Sequence, residues 1–224
     1  MKLREFDLDR PDATRENRHG FRLRTRSVCG LYERCFPRLD VKGGWKVLVE
    51  CVDSVTRSEV RNLLGVFTVQ LAFDHERFEA LDSLGQNQMA LEAVHNGAIQ
   101  IAEANGWPVA PFETARACVI ELKFVNEWQW PKPLVSPTKR WRAHMLCSHD
   151  GDAFRGWLVV TEKTGTVAAK QLAIVEAPTE FIFVPKLGAL RWTGNCSVVL
   201  FDKGGEVVVS LEYSEPTQAW VVTP

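Results

Sequence analysis

The clearest periodicity in the chain runs through residues 74–105, DHERFEALDSLGQNQMALEAVHNGAIQIAEAN. Leu91, Val94, His95, Ala98, Ile101 and Ala102 form one apolar stripe at helical spacing, opposite Glu92, Asn96, Gln100 and Glu103. The spacing predicts a long amphipathic helix over about 84–105. Ser83 and Gln86 have the spacing of a capping box at its start, and Asn105-Gly106 with Pro108 supplies a stop. Phe78 and Leu81 are expected in a short lead-in turn or helix begun by Asp74.

Shorter patterns flank this helix. Phe21, Leu23 and Thr25 alternate with Arg22, Arg24 and Arg26, which predicts a strand with one basic face. Gly43-Gly44 opens the β-branched run WKVLVECVD, and VFTVQLAF makes a second strand leading into the long helix. Between them, Thr56 and Glu59 have capping-box spacing, so a short helix over 57–64 ending at Gly65 is expected. Residues 111–126 fit a helix begun by Pro111, though Cys118, Ile120, Leu122 and Phe124 also alternate as a strand. Length and the proline favour the helix.

The texture changes at PKPLVSP, residues 131–137, which reads as a linker or extended arm. Beyond it, short β runs recur over 140–148, 154–162, 166–175, 180–185, 196–202 and 206–213. Asp150-Gly151, Thr164-Gly165, Gly194-Asn195 and Lys203-Gly204-Gly205 mark the turns. The pattern as a whole predicts an α+β protein. One long amphipathic helix packs on a mainly antiparallel sheet in a mixed region, 1–135, and an all-β meander or sandwich fills 138–224. One core continuous across both regions is the alternative.

Composition narrows the class without naming a function. Hydrophobic residues at 46% and charged residues at 25% are those of an ordinary globule. Twenty-seven basic against 28 acidic side chains leave a net charge of −1, so no global field favours nucleic acid or a membrane surface. No apolar stretch approaches a membrane span, and MKLREFDLDRPD has no apolar run for a signal peptide, so a cytoplasmic protein is expected. Cys29, Cys35, Cys51, Cys118, Cys147 and Cys196 are scattered, with no C-x-x-C pair; they are expected to be reduced, mostly buried thiols.

Candidate chemistry is sparse. Glycine loops for phosphate, G-x-S-x-G and H-E-x-x-H are absent, so no catalytic residue and no cofactor is expected. The best metal candidate is HMLCSHDGD, with His144, Cys147 and His149; on a strand over 140–148, His144 points away from the face of Met145 and Cys147, which splits the ligands.

Two surfaces stand out. Residues 74–105 carry six acids against Arg77 alone, and Glu79, Asp82, Glu92 and Glu103 could dock a basic partner. The arginines of 14–26 could instead pair with these acids within the chain. Trp128, Trp130 and Trp141 lie among Lys132, Lys139, Arg140 and Arg142, a set suited to a protein interface, to packing, or to stacked bases. The expectation is a non-enzymatic protein-binding module, of the immunity or adaptor type, acting on a basic protein rather than a membrane. A small enzyme with a pocket between the two regions, near Trp128, Trp130 and His144, is the first alternative. Single-stranded nucleic-acid binding through the Trp/Arg stretch is the second.

Overall fold

The computed structural model describes residues 1–223. Its contacts form two units, one spanning Met1–Asn126 and the other beginning at Glu127. The class is α+β.

The first unit contains β1 (Lys2–Leu3), β2 (Glu5–Asp9), α1 (Arg15–Cys35), β3 (Leu39–Asp40), β4 (Lys46–Val52), β5 (Arg61–Leu63), β6 (Val66–Ala72), α2 (His75–Ala80), α3 (Ser83–Ala104) and α4 (Ala110–Glu121). Strands β1 and β3 make a small antiparallel ladder. The main sheet runs β2-β4-β6-β5, with β2/β4 and β4/β6 parallel and only β5/β6 antiparallel. The sheet beneath the long helix is therefore mixed rather than antiparallel. Its parallel start follows from β2-α1-β4, a strand–helix–strand crossover.

That crossover was hidden because α1 alternates over Phe21–Arg26 like a strand. Its buried residues Phe21, Thr25, Val28, Cys29 and Tyr32 instead follow the helical period beyond Arg26. Thr14 caps its start, accepting from the Asn17 N–H at 3.4 Å, and Phe36 turns extended before Pro37. Helices α1, α3 and α4 pack over Phe6, Leu8, Val47, Val49, Cys51, Phe67 and Val69.

Helix α3 lies where the stripe places it, but Asp82 is its cap, accepting from the Gly85 N–H at 2.8 Å. Ser83 is thus the first helical residue, not the cap. The buried Gly97 lets α3 close on β4, since a Cβ there would stand 2.3 Å from Val49 Cγ2. Gly97→Ala is expected to lower unfolding free energy by about 1–3 kcal/mol despite alanine's better helix propensity. Urea denaturation measures this, and a more stable variant would contradict so tight a contact.

Residues 57–64 form no helix. Thr56 does not cap; its hydroxyl and N–H both donate to Gln70 Oε1, at 3.1 and 3.0 Å. The chain then enters β5 and turns at Leu64 and Gly65, whose φ values are 53° and 87°. Gly65 is a hairpin residue rather than a helix stop.

The second unit contains β7 (Glu127–Val135), β8 (Trp141–His149), β9 (Phe154–Glu162), β10 (Val167–Glu176), α5 (Glu180–Phe183), β11 (Ala189–Trp192), β12 (Ser197–Phe201), β13 (Val207–Ser214) and β14 (Ala219–Thr223). Two antiparallel four-stranded meanders, β7 to β10 and β11 to β14, share a core of Met145, Cys147, Leu158, Val160, Val198, Leu200 and Leu211. Residues 131–135 of the expected linker belong to β7, whose pairing with β8 is interrupted between Trp130 and Leu134. The run 180–185 is not a strand. It is α5 and a 3₁₀ turn over Val184–Lys186, which set Phe183 face to face with Phe154 at 3.9 Å.

The cysteines also depart from expectation. Cys35, the last residue of α1, is disulfide-bonded to Cys118 on α4, across a sequence separation of 83. Helix packing creates this pair, so local spacing could not reveal it. Cys29, Cys51 and Cys147 are buried free thiols, and Cys196 is half-buried.

Candidate functional site

A cleft of about 560 Å³ opens in the first unit where the last turn of α3 passes β5 and β6. Its apolar floor is Val60, Phe67, Val69 and Ala104, and its polar wall includes Glu59, Asn62, Gln100, Glu103 and Asn105. Trp107 packs edge-on against Phe67, with ring centroids 4.9 Å apart.

The wall on the loop side is held by two side chains of the sheet region. Gln70 accepts from the Arg57 N–H at 2.9 Å as well as from Thr56. The Arg57 guanidinium donates to Glu59 O at 2.8 Å and to Glu50 Oε2 at 2.6 Å. Arg57 is therefore neutralised by Glu50 and reaches only the backbone of Glu59. On the helix side, Asn105 Nδ2 donates to Ile101 O at 2.8 Å; on the strand side, Asn62 Nδ2 of β5 donates to Gly43 O at the same distance.

The electrostatics point one way. Glu59 and Glu103 are exposed and have no ion-pair partner among the described residues. Among the described residues no basic side chain lines the cleft, and the last turn of α3 has none either, so its terminal carbonyls add negative potential. Chemically, a lining of this kind can accept a cation carried on an aliphatic stem. Ser58 also lines the cleft, but no histidine or lysine there could activate it as a nucleophile.

The structure disperses the other candidate acids. Glu79 pairs with Arg24 at 3.4 Å and Arg10 at 3.6 Å. Asp82 caps α3, and Glu92 binds Arg116 at 2.7 Å. Arginines of the basic stretch are likewise engaged within the unit. Arg18 makes a two-point contact with the buried Asp9, at 2.8 and 2.5 Å, and Arg26 contacts Asp7 and Glu33. Of the acids singled out in the sequence, Glu103 alone reaches the cleft. Glu59, the second acid there, has the spacing of a helix-capping residue in the sequence but caps no helix.

The tryptophan stretch supplies the core of the second unit. Trp141 is buried against Tyr213 and Trp220, at 5.4 and 5.5 Å, and Trp128 packs on Phe154 at 5.9 Å. Trp130 is half-buried against the same core. Arg140 lies over the rings of Trp141 and Tyr213, at 4.5 and 5.2 Å, while Arg142 is exposed on the opposite face of β8. Cys147 and His149 face the core, and His149 Nε2 lies 3.2 Å from Pro178 O. His144 faces the other way, with burial lowering its pKa. Among the described residues no three His, Cys, Asp or Glu side chains are grouped to hold a metal.

A cluster that the sequence did not reveal lies where α1, α3 and α4 meet. Tyr32 Oη donates to Phe112 O at 3.2 Å and lies 3.4 Å from His95 Nδ1; His95 Nε2 is 3.5 Å from Glu113. Burial lowers the His95 pKa and raises that of Tyr32, so both are neutral near pH 7. Through these contacts the cluster ties the three helices together.

No family model, curated protein or solved structure matches this chain. No helix among the described residues is long and apolar enough to cross a membrane.

Proposed function

We propose that this protein is a non-enzymatic binding module that docks a basic protein, as a toxin-neutralising (immunity-type) protein or an adaptor does. The observation that carries the proposal is the cleft, lined beside its apolar floor by Glu59 and Glu103, which have no ion-pair partner among the described residues, at the negative end of α3. Glu79, Asp82 and Glu92 support the fold, so the docking set narrows to Glu59 and Glu103.

Charge reversal tests this directly. E59K/E103K is expected to weaken partner binding at least tenfold at low salt, whereas Glu92→Gln, which acts on an internal pair, changes it less than about twofold. Wild-type affinity should also fall as salt rises, because the carboxylates are exposed. Equal affinities for wild type and E59K/E103K, measured by calorimetry, would remove the cleft from the account.

A further inference from the structure

The two edges of the main sheet are treated differently. At the β2 edge, α1 supplies partners for the backbone. The Phe6 N–H donates to Glu33 Oε1 at 3.0 Å, and Phe6 O accepts from Arg26 Nη1 at 3.0 Å. That edge is sealed. The β5 edge has no such cover among the described residues: Arg61, Asn62 and Leu63 are all exposed, and no described element lies beyond them in the sheet.

The hairpin fixes which backbone groups face outward. Leu63 is paired with Val66 across the two-residue turn, and Asn62 with Phe67. Residues flanking such a turn exchange both hydrogen bonds, so the N–H and C=O of Asn62 point away from β6. The Asn62 side chain lines the cleft, while those of Arg61 and Leu63 alternate to the other face. Leu63 and Leu64, 73% and 91% exposed, stand at the end of this open edge. An unpaired edge, an acidic cleft and an apolar tip therefore adjoin one another.

We infer that the partner enters as an extended segment that adds a strand to β5, with a lysine or arginine on its cleft-facing side. This deepens the proposed function and rests on it. The strand exchanges backbone hydrogen bonds with Asn62, as in other cases of strand addition to a free sheet edge. Its basic side chains fall on alternate residues, over Phe67 and toward Glu59 and Glu103. Its opposite side chains meet Arg61 and Leu63, so apolar or acidic residues fit there.

The probe is a decapeptide of alternating threonine and lysine, beside the same peptide N-methylated at alternate residues to remove its edge donors. We expect the first to bind at low salt and the second to bind at least tenfold more weakly. Amide exchange at Asn62 should slow at least tenfold in the first complex. If both peptides bind alike, with Asn62 exchange unchanged but E59K/E103K weakening both, strand addition is overturned and the basic-partner reading stands. If neither peptide binds, or if E59K/E103K leaves binding intact, both fall.

Discussion

Replacing Arg26 with methionine is expected to cost the first unit about 3–5 kcal/mol at pH 8, and clearly less at pH 5. Arg26 is only 16% exposed and joins β2 to α1. It donates to Phe6 O at 3.0 Å, to Asp7 Oδ1 at 2.7 Å, and to both oxygens of Glu33 at 2.9 Å. Burial pushes Glu33 up to about 7, although Arg26 and the Phe6 N–H pull it down. Methionine fills much of the space but leaves Glu33 buried without its cation, which raises that pKa further. Asp7 is less affected because Lys46 still pairs with it.

The sign of the pH effect follows from the raised carboxyl. Its ordinary value is 4.5. The folded state therefore binds the proton more tightly than the unfolded chain, and stability falls as pH rises from there through the folded value. Protonated Glu33 needs no cation, so the variant recovers part of its loss at pH 5. Urea unfolding at both pH values measures this. Equal losses at pH 5 and 8, or a loss below about 1 kcal/mol, would contradict the network's role.

Opening the Cys35–Cys118 bond is the second large effect. A link across 83 residues removes so much freedom from the unfolded chain that its loss should cost about 4.5 kcal/mol. For a unit of this size that is a fall in Tm of roughly 15 °C. Thermal unfolding with and without dithiothreitol, and of Cys118→Ser, checks it. Thiol titration of the denatured chain should find the four free cysteines before reduction, and the bonded pair as well afterwards. A Tm shift below about 3 °C would show that α4 is held by packing alone. Thiol-reducing surroundings would therefore weaken the three-helix seam before the sheet.

The elements most legible in the sequence were those that repeat a pattern over enough residues. The α3 stripe extends over three turns, and the strand read over 154–162 is β9 to the residue. Its neighbours β8, β10, β12 and β13 lie within a residue or two of their expected bounds, because alternation and glycine turns coincide there. Strands β11 and β14, of four and five residues, were not among the expected β runs.

Misreadings came from short windows. Six residues of α1 alternate, and only its continuation to Tyr32 shows the helical period. Thr56 and Glu59 have capping spacing, yet Gln70 captures Thr56 from another strand. The cleft was legible only through Glu103, since its wall and floor come from separate stretches that meet when α3 crosses β6. The Leu64-Gly65 turn lacks the usual asparagine or aspartate signal, so the β5 edge was not visible beforehand.

The central claim is that the cleft beside α3 docks a basic protein. The most direct measurement is paired capture from lysate of the source organism at low salt, with wild type and E59K/E103K as baits and mass spectrometry of what each retains. One stoichiometric basic protein is expected on wild type, released as salt rises and missing from the variant. The same proteins on both baits, or none on either, would contradict it.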